Sequence, residues 1–273
     1  MNILDTIVDY KKLEVAANKL KLDESALMKS DFFSRKTLSL RTFLTDENKT
    51  GIIAEFKRKS PSKGVINNKA DVVDVTNAYT NHGASALSVL TDENFFGGHN
   101  KDLVAARINH IPILRKDFIV DPYQIIEAKS IGADAILLIA ACLDPATVQQ
   151  LAAVAKNLKL EVLLEIHDEN ELNHICDEID IIGINNRDLK TFTVDINRSI
   201  ALHDRIPAGK IAIAESGISD IETIVALKKI GFNGFLIGEN FMKEPDPSIA
   251  FASFANQLKK RLHESKSLRH DTA

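Results

Sequence analysis

Glu55 and Lys57 stand two residues apart at the end of an apolar run, in the segment "IAEFKRKSPSKG" of residues 53–64. Strand residues two apart point to the same side of a sheet, so a carboxylate and an ammonium would share one location. The loop that follows, residues 58–64, is cationic and contains Ser, Pro and Gly. An acid–base pair can transfer protons, and such a loop can close on an anion. The segment therefore predicts a proton-transfer site beside an anion site.

Ionisable residues interrupt the apolar runs at six of the eight strand ends that the sequence predicts. These ends carry Glu55, Lys57, Arg115, Lys116, Asp117, Phe118, Glu165, His167, Asn185, Asn186, Arg187, Asp188, Glu215, Ser216, Gly217, Gly238 and Glu239. Burying an unpaired charge in an apolar strand is costly, so charges repeated in the same relative place indicate one shared pocket. Acids and bases confined together shift one another's pKa values, which suits general acid and base catalysis.

The ends of the last two predicted strands carry small residues, Ser216-Gly217 and Gly238. Barrel enzymes often bind phosphate at this place through backbone N–H groups, and small residues let the backbone approach the anion. Ser60, in the loop after the first strand, could close over the same phosphate from the other side. An ordinary tight turn remains an alternative interpretation of the "ESGI" segment by itself.

His167 is the one histidine at a predicted strand end, and it follows Glu165 by two residues. A structural role is favoured over a catalytic one, because the neighbouring acid and lysines already supply proton transfer. The chain has no HxH or HExxH spacing. Its two cysteines, Cys142 and Cys176, form no CxxC pair and are expected to be reduced thiols. No metal site is predicted.

Eight units of an apolar run followed by an amphipathic stretch must position these residues, beginning near residue 49. The runs are short, apolar along their length and bounded by Gly, Pro, Asp or Asn, as parallel strands covered on both faces are. Helix starts are indicated by Asp121-Pro122, Asp144-Pro145 and Ser219 as a cap. The prediction is an α/β fold, a (β/α)₈ TIM barrel over residues 49–265. An open doubly-wound sheet is the alternative, but the GxGxxG turn typical of it is missing.

Residues 1–48 are predicted to form an N-terminal helical extension, and residues 266–273 a flexible tail. The apolar residues of the extension are spaced like helix packing faces: Ile3, Leu4, Ile7, Val8, Leu20, Leu27, Phe32 and Phe33. We expect a cover over one end of the barrel. A lid that contacts substrate is the alternative.

Composition limits the class of protein further. The net charge of -4 over 273 residues argues against a general binder of nucleic acid or of anionic membranes. The longest apolar run, "AILLIAACL" at residues 135–143, is far shorter than the ~20 residues of a spanning helix. The N-terminus lacks the basic start and apolar core of a signal peptide. A cytoplasmic protein is predicted.

Several segments together resemble the indole-3-glycerol phosphate synthase family, in the right order from about residue 30 to 260. They are "IAEFKRKSPSKG", "LRKDFIVDPYQIIEAKSIGADAILLIAA", "LLEIHDENEL", "IGINNRDLKTFTVD", "IAESGI" and "FLIGENFM". The resemblance implies a (β/α)₈ barrel with an N-terminal helical extension and no cofactor or metal. It implies a carboxy-lyase of tryptophan biosynthesis, which converts 1-(2-carboxyphenylamino)-1-deoxyribulose 5-phosphate to indole-3-glycerol phosphate. Its partners would be this small phosphorylated substrate and, weakly, other enzymes of the pathway.

The resemblance also implies roles for residues at matching positions. Lys116 would be the general acid and Glu165 the general base, while Glu55, Lys57, Asn185 and Glu215 would complete the catalytic site. Arg187 would fix the aromatic carboxylate. The phosphate and sugar would be bound by Ser60, Ser216, Gly217, Gly238 and Glu239. Phe95 or Phe96, together with Phe118, would wall the aromatic ring. Lys59 stands where the family often has Ala, which leaves the chemistry unaffected.

Two other functions fit a barrel of this kind. A sugar-phosphate isomerase would need a differently placed acid–base pair, so the set Glu55, Lys57, Lys116 and Glu165 argues against it. A non-catalytic scaffold is favoured when a strand-end charge has been lost, and all the matched charges are present.

Overall fold

Eight parallel strands close into a barrel in this computed structural model, which describes residues 3–188 and 191–270, without the side chains of 266–270. The barrel strands, in chain order, are β1 (Ile52–Phe56), β4 (Ala86–Leu90), β5 (Ile113–Lys116), β6 (Ala135–Ile139), β7 (Glu161–Ile166), β8 (Ile181–Asn185), β9 (Ile211–Glu215) and β10 (Gly234–Ile237). Each pairs with the next, and β1 pairs with both β4 and β10. The predicted (β/α)₈ TIM barrel is confirmed.

A two-stranded antiparallel hairpin, β2 (Lys59–Ser60) and β3 (Gly64–Val65), follows β1. The α-helices are α1 (Ile3–Lys21), α2 (Glu24–Leu27), α3 (Leu40–Thr45), α4 (Val72–Asn81), α5 (Asn100–Ala106), α6 (Pro122–Ser130), α7 (Pro145–Asn157), α8 (Asn197–His203), α9 (Ile221–Ile230), α10 (Glu239–Met242) and α11 (Pro247–His270). Between β7 and β8 the chain forms a 3₁₀-helix, Glu169–His174, where the sequence predicted an α-helical unit.

The predicted helix starts at Asp121-Pro122 and Asp144-Pro145 are confirmed, and Asp121 also forms a capping box with Gln124. The predicted cap at Ser219 is wrong by one residue. Asp220 caps α9 instead, and its carboxylate accepts a hydrogen bond from the N–H of Thr223. An N-cap side chain accepts from the second or third N–H of its helix, and Asp220 is placed to reach the third.

Two apolar layers hold the barrel together. The outer layer lies between strands and helices and includes Val89, Ile136 and Leu164. The inner layer fills the barrel and includes Ile53 and Leu163. Because neighbouring residues of a strand face opposite layers, the strands are buried and mostly apolar along their length, as the continuous runs predicted. Ser88, Arg115 and Glu165 are buried polar exceptions within the strands.

The N-terminal extension contacts both ends of the barrel. Helix α1 lies at the carboxyl ends of the strands, where Lys11 forms ion pairs with Asp92 and Asp117. Helix α3 lies at the opposite end, where Leu40 and Leu44 join the inner apolar layer. The sequence predicts a cover over one end of the barrel. In the structure the extension contacts both ends.

Leu20 departs from the predicted packing face of the extension, since it is 90% exposed near the end of α1. Ile7 and Leu27 are buried as predicted. The domain bounds themselves stay predictions. Of the predicted tail, residues 266–270 continue α11, and residues 271–273 lie outside the described residues. Within the described part of the chain, no helix combines the length and apolarity needed to span a membrane.

Candidate active site

A cavity of about 490 Å³ opens at the carboxyl ends of the barrel strands. Side chains from five strand ends converge on it, and the loop after β1 adds another. The polar residues of the predicted catalytic set that line it are Glu55, Lys57, Lys116, Glu165, Asn185 and Glu215. The six residues to which the family resemblance gives catalytic roles are thus brought to one place by the closure of the barrel.

Glu55 holds two ammonium groups. Its Oε1 lies 2.6 Å from Lys57 Nζ, and its Oε2 lies 3.9 Å from Lys116 Nζ. Burial of Glu55 favours its neutral form, but attraction to Lys57 and Lys116 outweighs burial and lowers the pKa of the carboxyl. The pair two residues apart on β1 therefore forms the contact that the sequence predicted.

Lys116 lies between acids. Besides Glu55, its Nζ approaches Glu165 Oε2 at 3.8 Å. Burial favours the neutral amine, but attraction to Glu165, Glu55 and Glu215 raises the pKa of Lys116 above its ordinary value. Lys116 is therefore a charged, largely buried ammonium group that lines the cavity.

Glu165 is held ionised by its neighbours. Burial raises its pKa, but the His167 ring at 3.3 Å, the charge of Lys116 and the amide of Asn185 lower it below the usual range. The Asn185 amide donates to Glu165 Oε1 at 3.1 Å. These contacts leave a carboxylate able to accept a proton.

The pKa of Glu215 is shifted in the opposite direction to that of Glu165. Its side chain is buried beside Glu165, and Oε1 has no hydrogen-bond partner among the described residues. Burial and the charge of Glu165 both raise the pKa of Glu215, and the attraction to Lys116 does not offset them. The pKa values of two carboxyl groups in one cavity are thus shifted in opposite directions, which is a common way to divide acid and base roles.

His167 lies beside the cavity rather than on it. Its Nδ1 is 3.2 Å from Glu171 Oε2, and its Nε2 is 3.3 Å from Glu165 Oε1. Burial lowers its pKa, but contacts with Glu165 and Glu171 outweigh burial and raise it to about 10. The favoured interpretation of His167 as a supporting residue agrees with this placement.

The anion side of the cavity lies at the ends of β9 and β10. The predicted residues Ser60, Ser216, Gly217, Gly238 and Glu239 all line it. Ser216 and Gly217 have φ of 65° and 73°, so two successive N–H groups lie in a left-handed turn. Such a turn forms a concave site for an anion.

Arg187 connects this side to the loop that follows β8. Its guanidinium lies 3.4 Å from Glu239 Oε2, and Lys63 lies 3.5 Å from Glu239 Oε1. The Asn185 side chain accepts a hydrogen bond from the Arg187 N–H at 3.0 Å. Arg187 lines the cavity with part of its side chain exposed, so it can meet a substrate carboxylate.

Two predicted placements need correction. Phe95 does not line the cavity, because its ring packs edge-on against Tyr10; Phe96 lines it instead, 5.9 Å from the ring of Phe118. Arg115 and Asp117 flank Lys116 but turn away from the cavity, and they pair with each other at 3.2 Å. Alternation along the strand end explains this, since Lys116 faces inward and its neighbours outward.

Sequence reasoning did not place individual residues of the extension or of the inner barrel at the site. The apolar wall includes Ile3, Leu4 and Ile7 of α1 and Leu137 and Ile139 of β6. Their spacing predicted packing faces but could not distinguish a packing face from a cavity wall.

Comparisons with known proteins identify the family of the chain. The family model described as indole-3-glycerol phosphate synthase matches residues 4–254. The chain is 46% identical over 258 residues to the indole-3-glycerol phosphate synthase of Bacteroides thetaiotaomicron, covering 94% of this chain and 99% of that protein. It is 42% identical to the synthase of Salinibacter ruber, covering 95% and 97%.

The chain belongs to the indole-3-glycerol phosphate synthase family. Membership confirms the function that the resemblance implied, that of a carboxy-lyase in tryptophan biosynthesis. Among solved structures, a mutant tryptophan synthase α-subunit from Pyrococcus furiosus superposes with a TM-score of 0.59 at 15% identity, covering 78% of this chain and 98% of that chain. That likeness supports the barrel fold. Within residues 3–188 and 191–270, no cluster of three or more His, Cys, Asp or Glu side chains could hold a metal ion.

Proposed function

We propose that the chain performs the family's reaction with Lys116 as general acid and Glu165 as general base. The observation that carries this proposal is the position of the Lys116 ammonium between the carboxylates of Glu165 and Glu55, at 3.8 and 3.9 Å. A charged donor and an ionised acceptor then face the same part of the cavity. This is the arrangement that a ring closure followed by a dehydration needs.

Ring closure forms a carbon–carbon bond. The aromatic carbon that bears the carboxylate attacks the ketone carbon of the deoxyribulose chain, and the ketone oxygen becomes a hydroxyl by taking a proton from Lys116. The carbon–carboxylate bond then breaks, carbon dioxide leaves, and its electron pair restores the aromatic ring. The side chains of Lys116, Glu55 and Glu165 are largely buried, which strengthens the interaction between Lys116 and the developing oxyanion.

Dehydration completes the product. The new hydroxyl leaves as water after accepting a proton from an ammonium group, and Glu165 removes a proton from the carbon next to the ring nitrogen. Lys57 is a second ammonium beside this centre, held by Glu55 at 2.6 Å. Asn185 orients Glu165 through its 3.1 Å hydrogen bond. The neutral form of Glu215 limits the negative charge around the departing hydroxyl.

Substrate binding divides the cavity into two halves. We propose that the phosphate meets the N–H groups at Ser216, Gly217 and Gly238, with Ser60 closing from the hairpin side and Glu239 near the sugar. The aromatic ring lies against Phe118 and Phe96, and its carboxylate meets Arg187. Phe95 is not included, because its ring lies away from the cavity.

The test is an assay of the purified chain with the carboxyphenylamino-deoxyribulose phosphate substrate, in which the indole product and the carbon dioxide are both quantified. We expect indole fluorescence to rise while one carbon dioxide is released for each product formed. A sugar-phosphate isomerase would give an isomer without carbon dioxide or an indole. Absence of both products from a folded chain would reject the proposal.

The cellular context is also proposed. A cytoplasmic location and a weak association with other tryptophan-pathway enzymes are supported by the family resemblance. Cell fractionation tests the location, and cross-linking in cells followed by identification of the captured pathway enzymes tests the association.

A further inference from the structure

A buried cation in the N-terminal extension lies next to the aromatic half of the cavity. Lys11, on α1, is fully buried, and its Nζ lies 2.9 Å from Asp92 and 3.0 Å from Asp117. A third acid, Glu14, lies one turn further along α1 at 3.0 Å. A buried lysine among three acids is costly to assemble unless its partners are fixed, so the cluster has a definite geometry.

Asp92 connects Lys11 to one aromatic wall. While its Oδ2 pairs with Lys11, its Oδ1 accepts hydrogen bonds from the backbone N–H groups of Phe95 and Phe96 at 2.7 and 3.1 Å. Phe96 lines the cavity, whereas Phe95 packs against Tyr10. The same carboxylate therefore holds the backbone that carries both rings, and the contact of Phe95 with Tyr10 leaves Phe96 on the cavity.

Asp117 connects Lys11 to the second ring, that of Phe118. Its Oδ1 accepts from Lys11 and from the backbone N–H of Phe118 at 2.8 Å, and its Oδ2 accepts from Thr91 at 2.6 Å. Phe118 also lines the cavity, and Asp117 directly follows Lys116 in the chain. One ammonium thus holds the carboxylates that orient both rings.

Helix α1 itself connects Lys11 to the apolar wall of the cavity. Ile3, Ile7 and Lys11 are spaced four residues apart, so they share one face of α1. Ile3 and Ile7 line the cavity, and Ile7 is 2% exposed. The position of this apolar wall therefore depends on where Lys11 is held.

We propose that Lys11 is a positioning residue for the aromatic half of the substrate, acting through Asp92 on Phe96, through Asp117 on Phe118, and through α1 on Ile7. It does not touch the reacting atoms. The proposal rests on the proposed function, because the aromatic half of the cavity is defined by that substrate. Burial opposes the charge of Lys11, but Asp117, Asp92 and Glu14 outweigh burial and raise its pKa, so the cation persists across the working pH range.

The test compares Lys11→Met with the double variant Lys11→Met/Asp92→Asn. The single variant leaves Asp92 and Asp117 without their shared cation and can fail to fold. The double variant removes one surplus charge, while the amide oxygen of the introduced side chain can still accept from the backbone. Leu258→Ala, in α11, is the control, because Leu258 is fully buried in the outer layer on another face of the barrel.

Three quantities are measured on each protein: the melting temperature, the separate values of KM and kcat, and the inhibition constants of 2-aminobenzoate and inorganic phosphate. For the double variant we expect KM and the 2-aminobenzoate constant to rise about tenfold, since misplaced walls weaken binding of the ring. The phosphate constant should stay within about twofold, because its site lies at β9 and β10. Leu258→Ala should lower the melting temperature and leave all constants unchanged.

Equal rises of both inhibition constants would overturn the proposal, and so would a folded double variant with an unchanged KM. The proposed function fails separately, if the unsubstituted chain does not form indole-3-glycerol phosphate. Inhibitor binding can then still be followed by calorimetry, so the role of Lys11 in holding the ring walls is tested in either case.

Discussion

His167 Nε2 lies 3.3 Å from Glu165 Oε1, so the proposed general base has a cationic ring on one side and Lys116 on the other. His167 is itself held by Glu171, whose carboxylate accepts from the His167 backbone N–H at 2.6 Å. The imidazolium therefore helps to keep Glu165 ionised without lining the cavity.

Replacing His167 should change the pH profile. In His167→Gln, a group that lowers the pKa of Glu165 is removed, so that pKa rises. The acidic limb of the kcat–pH profile should then move to higher pH, while activity at high pH is largely kept. Turnover measured from acid to neutral pH checks this. An unmoved acidic limb in a folded variant would show that His167 does not influence the base.

The same contact predicts a pH-dependent stability. The pKa of His167 is raised from 6.5 to about 10 in the folded chain, so its pairing stabilises the fold fully below about pH 6.5. That contribution is lost as the pH rises from about 6.5 through about 10. The melting-temperature difference between the unsubstituted chain and His167→Gln should therefore shrink over this window. A constant difference would contradict the assignment.

Lys116→Ala and Glu165→Gln should each lower turnover by at least ~100-fold, the usual scale for a lost general acid or base. Both residues belong to the cavity, so the variants should remain folded by circular dichroism. Lys69→Ala, at an exposed position outside the cavity, is the matched control and should behave like the unsubstituted chain. Near-normal turnover in either cavity variant would remove that residue from the mechanism.

Inorganic phosphate or sulfate should compete with the substrate. The ion would occupy the left-handed turn at Ser216 and Gly217 together with the backbone at Gly238. Competitive inhibition and density at these N–H groups in sulfate-soaked crystals check the site. Density elsewhere on the surface with none at this turn would count against it.

Gly238→Ala should lower turnover through Glu55. A Cβ at position 238 would lie 2.6 Å from Glu55 Oε1 and 2.8 Å from Glu55 Cβ, so the Glu55 side chain must shift. Because Glu55 pairs with Lys57 and Lys116, the shift would disturb both ammonium groups. We expect a loss in kcat beyond the rise in KM. A change in KM alone would limit Gly238 to the phosphate site.

A truncation that starts near Asp46 should lower stability and raise KM. It removes several buried apolar side chains, among them Ile7, Leu40 and Leu44, each worth roughly 1.5 to 3 kcal/mol. It also removes the wall at Ile3 and Ile7, which line the cavity. Melting temperature and KM are measured together. Lower stability with an unchanged KM would leave the extension as a structural cover.

Most of the site could be predicted because charges stand out in apolar strands. Glu55, Glu165 and Glu215 interrupt continuous buried runs, and the barrel brings such positions together. A charge at a strand end does not by itself predict a place in the pocket. Arg115 is one residue from Lys116, so alternation along the strand directs it outward, where it pairs with Asp117.

Other features depended on contacts that no local pattern contains. Phe95 and Phe96 are equivalent in type, and the choice between them is made by Tyr10, which lies more than eighty positions away in the chain. The exposure of Leu20 likewise follows from where α1 ends, rather than from its apolar spacing. A contact between residues distant in the sequence thus decides which phenylalanine lines the cavity.

The contact of α3 with the barrel interior has a consequence for synthesis. Leu40 and Leu44 pack into a layer that is completed by Leu236 of β10, and Leu44 lies beside Gly234 at the start of that strand. A chain made from its N-terminus therefore produces α3 long before its binding surface exists. Helix α3 therefore acquires its full packing only after β10 has closed the barrel.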